Sequence, residues 1–134
     1  MEIKSVILAA GKGTRMKSET PKVLHKIFEK PLLGYVLDSV KDLTNEDFVI
    51  VGHHAEEVTD FVEKNYTNAK TVLQTPQLGT GHAVSMVCPY LENFKGQVLI
   101  LCGDTPLITE ATLKKFVEYH NSVNSDLTVM STIF

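Results

Sequence analysis

The chain has 134 residues, of which 43% are hydrophobic and 22% charged, and its formal net charge is −3 at pH 7. This composition fits a globular domain, excludes a disordered or fibrous protein and argues against a general nucleic-acid binder. Two cysteines are too few for a disulfide framework or a zinc site. With no long apolar stretch or signal peptide, the sequence predicts a cytoplasmic protein without a membrane partner.

An apolar segment followed by a glycine-rich loop begins the chain. The run from Ile3 to Ala10 predicts a buried strand, and Gly11 and Gly13 follow it closely. Glycines permit backbone conformations that bring amide N–H groups close to phosphate oxygens. Arg15 and Lys22 can neutralise charge on those phosphates. Together these residues predict a site for a nucleoside triphosphate.

Positive charge is concentrated around this loop. Between positions 12 and 30 lie six of the thirteen lysines and arginines: Lys12, Arg15, Lys17, Lys22, Lys26 and Lys30. This patch is suited to a polyanionic ligand, although Lys17, Lys26 and Lys30 fit a solvated face equally well. The loop is neither a Walker A loop nor a dinucleotide-binding fingerprint, because both require a glycine where Met16 stands.

Apolar strands alternate with helical patterns along the rest of the chain. This alternation predicts an α/β fold with a Rossmann-like, mostly parallel sheet and helices on both faces. Strands are expected at Phe48 to Val51, Thr71 to Leu73, Gln97 to Leu101 and Leu127 to Phe134; helices are expected at Leu32 to Leu43, Ala55 to Asn65, Thr80 to Leu91 and after the capping residue Thr109. Open sheets of this type bind ligands at the carboxyl ends of their strands.

Two loops at this edge carry groups suited to a base and a metal. Gln74 and Gln77 each have an amide that can both donate to and accept from the polar edge of a base, and Gly79 would leave room for the ring. Asp104 follows the strand at Gln97 to Leu101, where its carboxylate can reach Mg²⁺. Each residue alone is more typical of an ordinary polar loop, so the interpretation depends on the surrounding motifs.

Four further residues have weaker interpretations. The adjacent His53 and His54 lack the spacing of a metal site and are more typical of a solvated loop. His82 is expected to pack in a helix rather than to act as an acid or base. Cys102 is expected to be packed.

Three blocks of this sequence together resemble the sugar-1-phosphate nucleotidyltransferases. The blocks are Leu8 to Met16 with Pro21 and Lys22, Gln74 to Ala83, and Cys102 to Leu107. They are most similar to the uridylyltransferase part of the bifunctional bacterial N-acetylglucosamine-1-phosphate uridyltransferase/glucosamine-1-phosphate acetyltransferases. The resemblance implies a fold of the nucleotide-diphospho-sugar transferase type. It also implies Mg²⁺-dependent transfer of UMP from UTP to N-acetylglucosamine 1-phosphate, a step in cell-wall precursor synthesis.

The resemblance implies a role for individual residues. Arg15 and Lys22 would be catalytic residues that hold the triphosphate, with Lys22 closest to the α-phosphate, and Asp104 would be the magnesium ligand. The implied nucleotide-binding set is Leu8, Ala9, Ala10, Gly11, Gly13, Lys22, Gln74, Gln77, Gly79, Thr80, Gly103 and Asp104.

Members of this family continue with sugar-binding segments, a second metal ligand and a β-helix acetyltransferase domain. We therefore expect residues 1–134 to be the N-terminal, nucleotide-binding part of a uridyltransferase domain, incomplete at its C-terminus, with reduced or no turnover of its own. The resemblance implies homo-oligomers for the full-length proteins and leaves the oligomeric state of this chain open. Two alternatives stay open: a UDP-glucose or dTDP-glucose type of nucleotidyltransferase, and a nucleotide-binding module without turnover.

Overall fold

The structure is a computed structural model that describes residues 1–12 and 19–133. Gly13 and Arg15 lie outside the described residues, so their predicted roles stay predictions. The elements are β1 (Ile3–Leu8), β2 (Lys26–Ile27), β3 (Lys30–Pro31), α1 (Leu32–Val40), β4 (Glu46–Val51), α2 (Ala55–Asn65), β5 (Ala69–Leu73), α3 (Thr80–Ser85), β6 (Gln97–Cys102) and α4 (Glu110–Ser122). Short 3₁₀ turns form at Lys22–Leu24 and Cys88–Tyr90.

Four parallel strands form the central sheet in the order β5-β4-β1-β6. The predicted apolar run of β1 thus lies in the interior of the sheet, paired on both sides. Its successive side chains point to opposite faces. Ile7 belongs to the core under α1, α2 and α4, whereas Val6 belongs to the core under α3. The prediction of helices on both faces of a parallel sheet is confirmed.

Most predicted elements are present, with differences at their ends. α2 has the predicted bounds, and α4 follows Thr109, whose hydroxyl accepts a hydrogen bond from the Thr112 N–H at 3.2 Å. The helix predicted from Thr80 to Leu91 ends at Ser85. A 3₁₀ turn follows, because Pro89 has no N–H to continue an α-helix. None of the helices in the described ranges has the length and apolarity needed to cross a bilayer.

The strand predicted at Leu127 to Phe134 is wrong over residues 127–133, which the structure shows without strand pairing. Within the described part of the chain, β6 forms a ladder only with β1. The side chains of Leu127 and Ile133 are 74% and 99% exposed. A segment of this kind forms a strand only where a neighbouring backbone pairs with its N–H and C=O groups, and no described segment does so here.

Candidate functional site

The carboxyl ends of β1, β5 and β6 surround one cavity of about 590 Å³. Its volume is in the range of small-molecule sites. From the predicted set, the lining contains Leu8, Ala9, Ala10, Gly11, Lys22, Gln74, Gln77, Gly79, Thr80 and Asp104. The structure therefore brings together residues from three separate sequence blocks, although their individual roles stay predictions.

The floor of the cavity is formed by the end of β1 and its continuation. The Ala9 N–H donates to the Ile50 carbonyl at 2.9 Å, and the Ala10 carbonyl accepts from the His53 N–H at 3.3 Å. Both alanine side chains are buried. Their backbone therefore stays attached to the β4 side of the sheet, and their small side chains take up little of the cavity.

Lys22 and Asp104 lie side by side in the lining of the cavity. The Lys22 Nζ lies 2.8 Å from the Asp104 Oδ2, and the two side chains are 45% and 32% exposed. An ion pair this exposed contributes little to stability. Its relevance is positional, because it places one cation and one carboxylate side by side where both are accessible to a ligand.

Gly103 lies behind this pair and positions Asp104. Its N–H donates to the Leu8 carbonyl at 2.9 Å, which links the segment after β6 to the end of β1. A Cβ at Gly103 would lie 2.9 Å from the same carbonyl oxygen. The chain therefore needs glycine here for close packing of two backbones, and direct nucleotide contact by Gly103 remains a prediction.

The two predicted base-reading glutamines lie in different surroundings. Gln74 is only 4% exposed, and its Nε2 lies 3.1 Å from the Gly79 carbonyl oxygen and 2.9 Å from His82 Nδ1. Gln77 is half-buried and lies against Gly52, where a Cβ would come within 2.6 Å of the Gln77 Nε2. Gly52 directly follows β4 and is outside the described cavity lining, so it bears on the site only through Gln77, a contact that no sequence motif marks.

Gly79 immediately precedes α3 and has backbone angles of φ 106° and ψ −179°. This region of backbone space is essentially restricted to glycine. A Cβ added at Gly79 would have no atom within 4 Å, so the space beside it is open, in line with the predicted room for a ring. The loop therefore depends on this glycine for its backbone conformation as well as for space.

The donor set suits a metal that arrives with a phosphate ligand. In the described ranges, no group of three or more His, Cys, Asp or Glu side chains could hold a metal, and Asp104 is the only acidic residue in the cavity lining. Mg²⁺ is usually bound through one or two carboxylates together with substrate phosphates and waters. The single carboxylate of Asp104 therefore fits Mg²⁺ bound to a triphosphate and does not form a complete protein cage.

The prediction that Cys102 packs is wrong. Cys102 is exposed and lines the cavity. It is the last residue of β6 and lies on the same face of the sheet as α3, but α3 does not cover β6. Partial burial raises the pKa of its thiol, the Asp104 carboxylate adds to this shift, and Lys22 opposes it. This shift favours the neutral thiol over the thiolate, which is the nucleophilic form.

The described lining also contains Lys12, Val23 and Ala83, none of which is in the predicted nucleotide-binding set. Lys12 belongs to the predicted cationic patch and to the first of the three sequence blocks. Lys30, in the same patch, lies outside the described cavity lining and forms an ion pair with Asp38. The imidazole rings of His53 and His54 contact each other outside the lining.

Comparison with known proteins supports one family. Residues 5–132 match the family described as the MobA-like NTP transferase domain. The chain is 50% identical over 133 residues to the bifunctional protein GlmU of Alkaliphilus oremlandii. The matched region covers 98% of this chain and 28% of that relative. The chain thus spans 28% of the length of this curated relative.

Solved structures share the fold. HddC from Yersinia pseudotuberculosis, complexed with GMP-PN, superposes with a TM-score of 0.74 at 30% identity, covering 87% of this chain and 53% of that one. A nucleotidyl transferase from Methanothermobacter thermautotroptrophicus has a TM-score of 0.71 at 23% identity, covering 88% and 57%.

Proposed function

The chain belongs to the MobA-like NTP transferase domain family, and from this premise we propose that it binds UTP with Mg²⁺ and takes part in transferring UMP to N-acetylglucosamine 1-phosphate. The observation that carries this proposal is the convergence of Lys22, Asp104 and Gln74 in one cavity of about 590 Å³. The similarity to GlmU supports the choice of nucleotide and of acceptor.

The base would bind at the end of the cavity formed by the loop between β5 and α3, residues 74–79. Gln74 and Gln77 both line this end. Uracil has two carbonyl acceptors and one N–H donor, and glutamine amides carry the complementary groups. The backbone of residues 8–11 and of residues 79–80 lies around the same space and supplies further contacts.

The triphosphate would bind toward Lys22. In the proposed reaction, an oxygen of the sugar phosphate attacks the α-phosphorus, a new P–O bond forms, and the bond to the bridging oxygen breaks as pyrophosphate leaves. The attacking oxygen is already anionic, so catalysis needs no covalent protein intermediate and depends on positioning and charge stabilisation. The Lys22 ammonium would offset negative charge in the transition state, and Arg15 is proposed to assist it.

Asp104 would hold the metal. When bound with the triphosphate, Mg²⁺ neutralises phosphate charge and orients the phosphate groups. The 2.8 Å ion pair between Lys22 and Asp104 is compatible with this role. A magnesium nucleotide offers each member of the pair an oppositely charged partner, so the pair can separate without leaving either charge uncompensated.

Calorimetric titration with UTP, in the presence and absence of Mg²⁺, tests the metal assignment. We expect Asp104→Asn to weaken binding in Mg²⁺ much more than in its absence, because the change removes a charge and nearly preserves the shape. Asp60→Asn is the matched control, since Asp60 is exposed on α2 and paired with Lys64. An equal loss in both conditions would make Asp104 a structural residue.

Nucleotide and acceptor panels test the substrate assignment. UTP should bind more tightly than ATP or GTP, and equal affinity for UTP and ATP would contradict the uridine assignment. Turnover is measured as pyrophosphate release with a series of sugar 1-phosphates, which separates N-acetylglucosamine from glucose acceptors. Release at about 1–1000 per second, as in typical enzymes, would contradict the expectation of reduced turnover.

A further inference from the structure

The side-chain amide of Gln74 has a defined orientation. One of its two terminal atoms lies 3.1 Å from the carbonyl oxygen of Gly79. A backbone carbonyl only accepts hydrogen bonds, so the Gln74 atom that faces it must be the NH₂ nitrogen and not the oxygen. The Gly79 carbonyl also accepts from the Ala83 N–H at 3.0 Å, which ties it to α3.

His82 accounts for the second proton of the same NH₂ group. Its Nδ1 lies 2.9 Å from the Gln74 Nε2. With one amide proton donated to Gly79, the other points to the imidazole ring, so Nδ1 must accept and the neutral ring carries its proton on Nε2. His82 itself is absent from the described cavity lining, so it acts on the cavity through Gln74.

We infer that His82 is a positioning residue that keeps Oε1 of Gln74 available to the base and thereby selects a ring N–H over a ring nitrogen with a lone pair. Among the described residues, no group donates to this oxygen, and Gln74 lines the cavity. Uracil presents N3–H at the position where cytosine presents an unprotonated N3. The inference rests on the proposed function, because it takes the cavity as the nucleotide site.

The selection arises from the cost of turning the amide over. A cytosine at this position needs a donor, and Gln74 can supply one only by exchanging the positions of its oxygen and nitrogen. Oε1 would then face the Gly79 carbonyl, acceptor against acceptor, and His82 Nδ1 could bond to it only after the ring proton moves from Nε2 to Nδ1. Leaving a buried polar group without a partner is costly, so we expect UTP to bind at least about tenfold more tightly than CTP.

The ratio of UTP to CTP affinity is the appropriate measurement. The two nucleotides have the same ring size, phosphates and metal requirement, so their ratio is insensitive to a general weakening of the site. His82→Leu removes one of the two acceptors and should reduce the ratio by about threefold, because only the Gly79 carbonyl then opposes turning the amide over. His82→Asn can return an acceptor oxygen near the Nδ1 position and should retain most of the preference.

Calorimetry with the 134-residue chain separates the possible failures. An unchanged ratio in His82→Leu, with UTP still bound, would overturn the role of His82 and leave the proposed function standing. Failure of the unsubstituted chain to bind either nucleotide would overturn the proposed function and the inference together. Equal binding of UTP and CTP by the unsubstituted chain would overturn the selection itself.

Ring ¹⁵N NMR of the unsubstituted chain tests the hydrogen bond even if His82→Leu does not fold. The His82 signals, identified by their loss in His82→Asn, should show an unprotonated Nδ1 and a protonated Nε2 in the neutral ring. A proton on Nδ1 of the neutral ring would overturn the inference.

Discussion

Polar side chains lie at both ends of the central sheet, and the Lys22–Asp104 pair at the carboxyl end borders a much larger cavity than Asp47 does at the amino end. At the amino end, the buried Ser5 hydroxyl and the Thr44 hydroxyl each donate to Asp47 Oδ1 at 2.6 Å. At the carboxyl end, Lys22 and Asp104 line a cavity of about 590 Å³. The cavity that touches Asp47 has only about 150 Å³. Polar residues at a strand end thus indicate a ligand site only where packing also leaves space.

Charges at the amino end are also paired with one another. The Glu46 Oε2 lies 3.0 Å from the Lys4 Nζ, and the Glu46 Oε1 lies 2.5 Å from the Lys70 Nζ. The hydrogen bond from Lys70 is the main cause that lowers the pKa of Glu46, and burial opposes it. Burial raises the pKa of the neighbouring Asp47, and the hydrogen bonds from Ser5 and Thr44 only partly offset it. We therefore expect changes at this end to affect stability and changes at the other end to affect binding.

The largest expected effect is on binding at the carboxyl end. Lys22→Ala should lower the affinity for UTP in Mg²⁺ by about 10- to 100-fold, because a charged hydrogen bond to phosphate is lost. Stability should change little, since the ion pair with Asp104 is partly exposed. Lys26→Ala, at an exposed position in β2 outside the described lining, is the matched control. Equal losses in both variants would mean that only general positive charge attracts the nucleotide.

The next effect is on stability at the amino end. Asp47→Ala should lower the free energy of unfolding by about 1–3 kcal/mol, because the buried Ser5 hydroxyl loses its acceptor. Asp47→Asn retains an acceptor oxygen and should lose less. Urea unfolding measures both changes, and calorimetry should find UTP affinity unaltered. A parallel fall in UTP affinity would contradict the separation of the two ends.

A smaller effect on binding is expected at Gly52. The Cβ of Gly52→Ala would lie 2.6 Å from the Gln77 Nε2 and 3.2 Å from the Ala10 carbonyl oxygen, so Gln77 must move away. We expect UTP affinity to fall about three- to tenfold, the cost of about one hydrogen bond. Gly81→Ala is the matched control, because a Cβ there meets no atom within 4 Å. If the two variants bind UTP equally well, Gln77 does not contact the base.

The smallest effect is the pH dependence of stability at Glu46. Because the folded-state pKa of Glu46 lies below its ordinary value of 4.5, its ionised form stabilises the fold. This contribution is fully present above pH 4.5 and is lost as the pH falls through the lowered pKa. The stability difference between the unsubstituted chain and Glu46→Gln should therefore shrink between about pH 7 and about pH 3 in urea unfolding. A constant difference would mean that the ion pairs do not favour the charged form.

Asp47 should show the opposite slope, because its folded-state pKa is raised from 3.8. The protonated form of Asp47 therefore stabilises the fold. This stabilisation is fully present below pH 3.8 and is lost as the pH rises through the raised pKa. Relative to the unsubstituted chain, Asp47→Asn should therefore become comparatively more stable as the pH rises.

Sequence alone determined the four strands of the central sheet, most of the helices and the residues that meet at the site. The apolar run of β1 and the helical spacing in α2 are local patterns, and a parallel sheet necessarily gathers the carboxyl ends of its strands at one edge. Lys22, Gln74 and Asp104 could therefore be placed together before any contact was known, and the cavity contains all three.

Tertiary structure alone decided which of these patterns had a partner. A strand is predicted at Leu127 to Phe134, yet no described backbone pairs with residues 127–133. Gly52 and His82 carry no local signal for their contacts with Gln77 and Gln74, which arise where the segment after β5 packs against the end of β4 and against α3. Periodicity is a property of a short segment, whereas hydrogen-bond partners, accessible space and the orientation of an amide depend on what the rest of the chain places beside it.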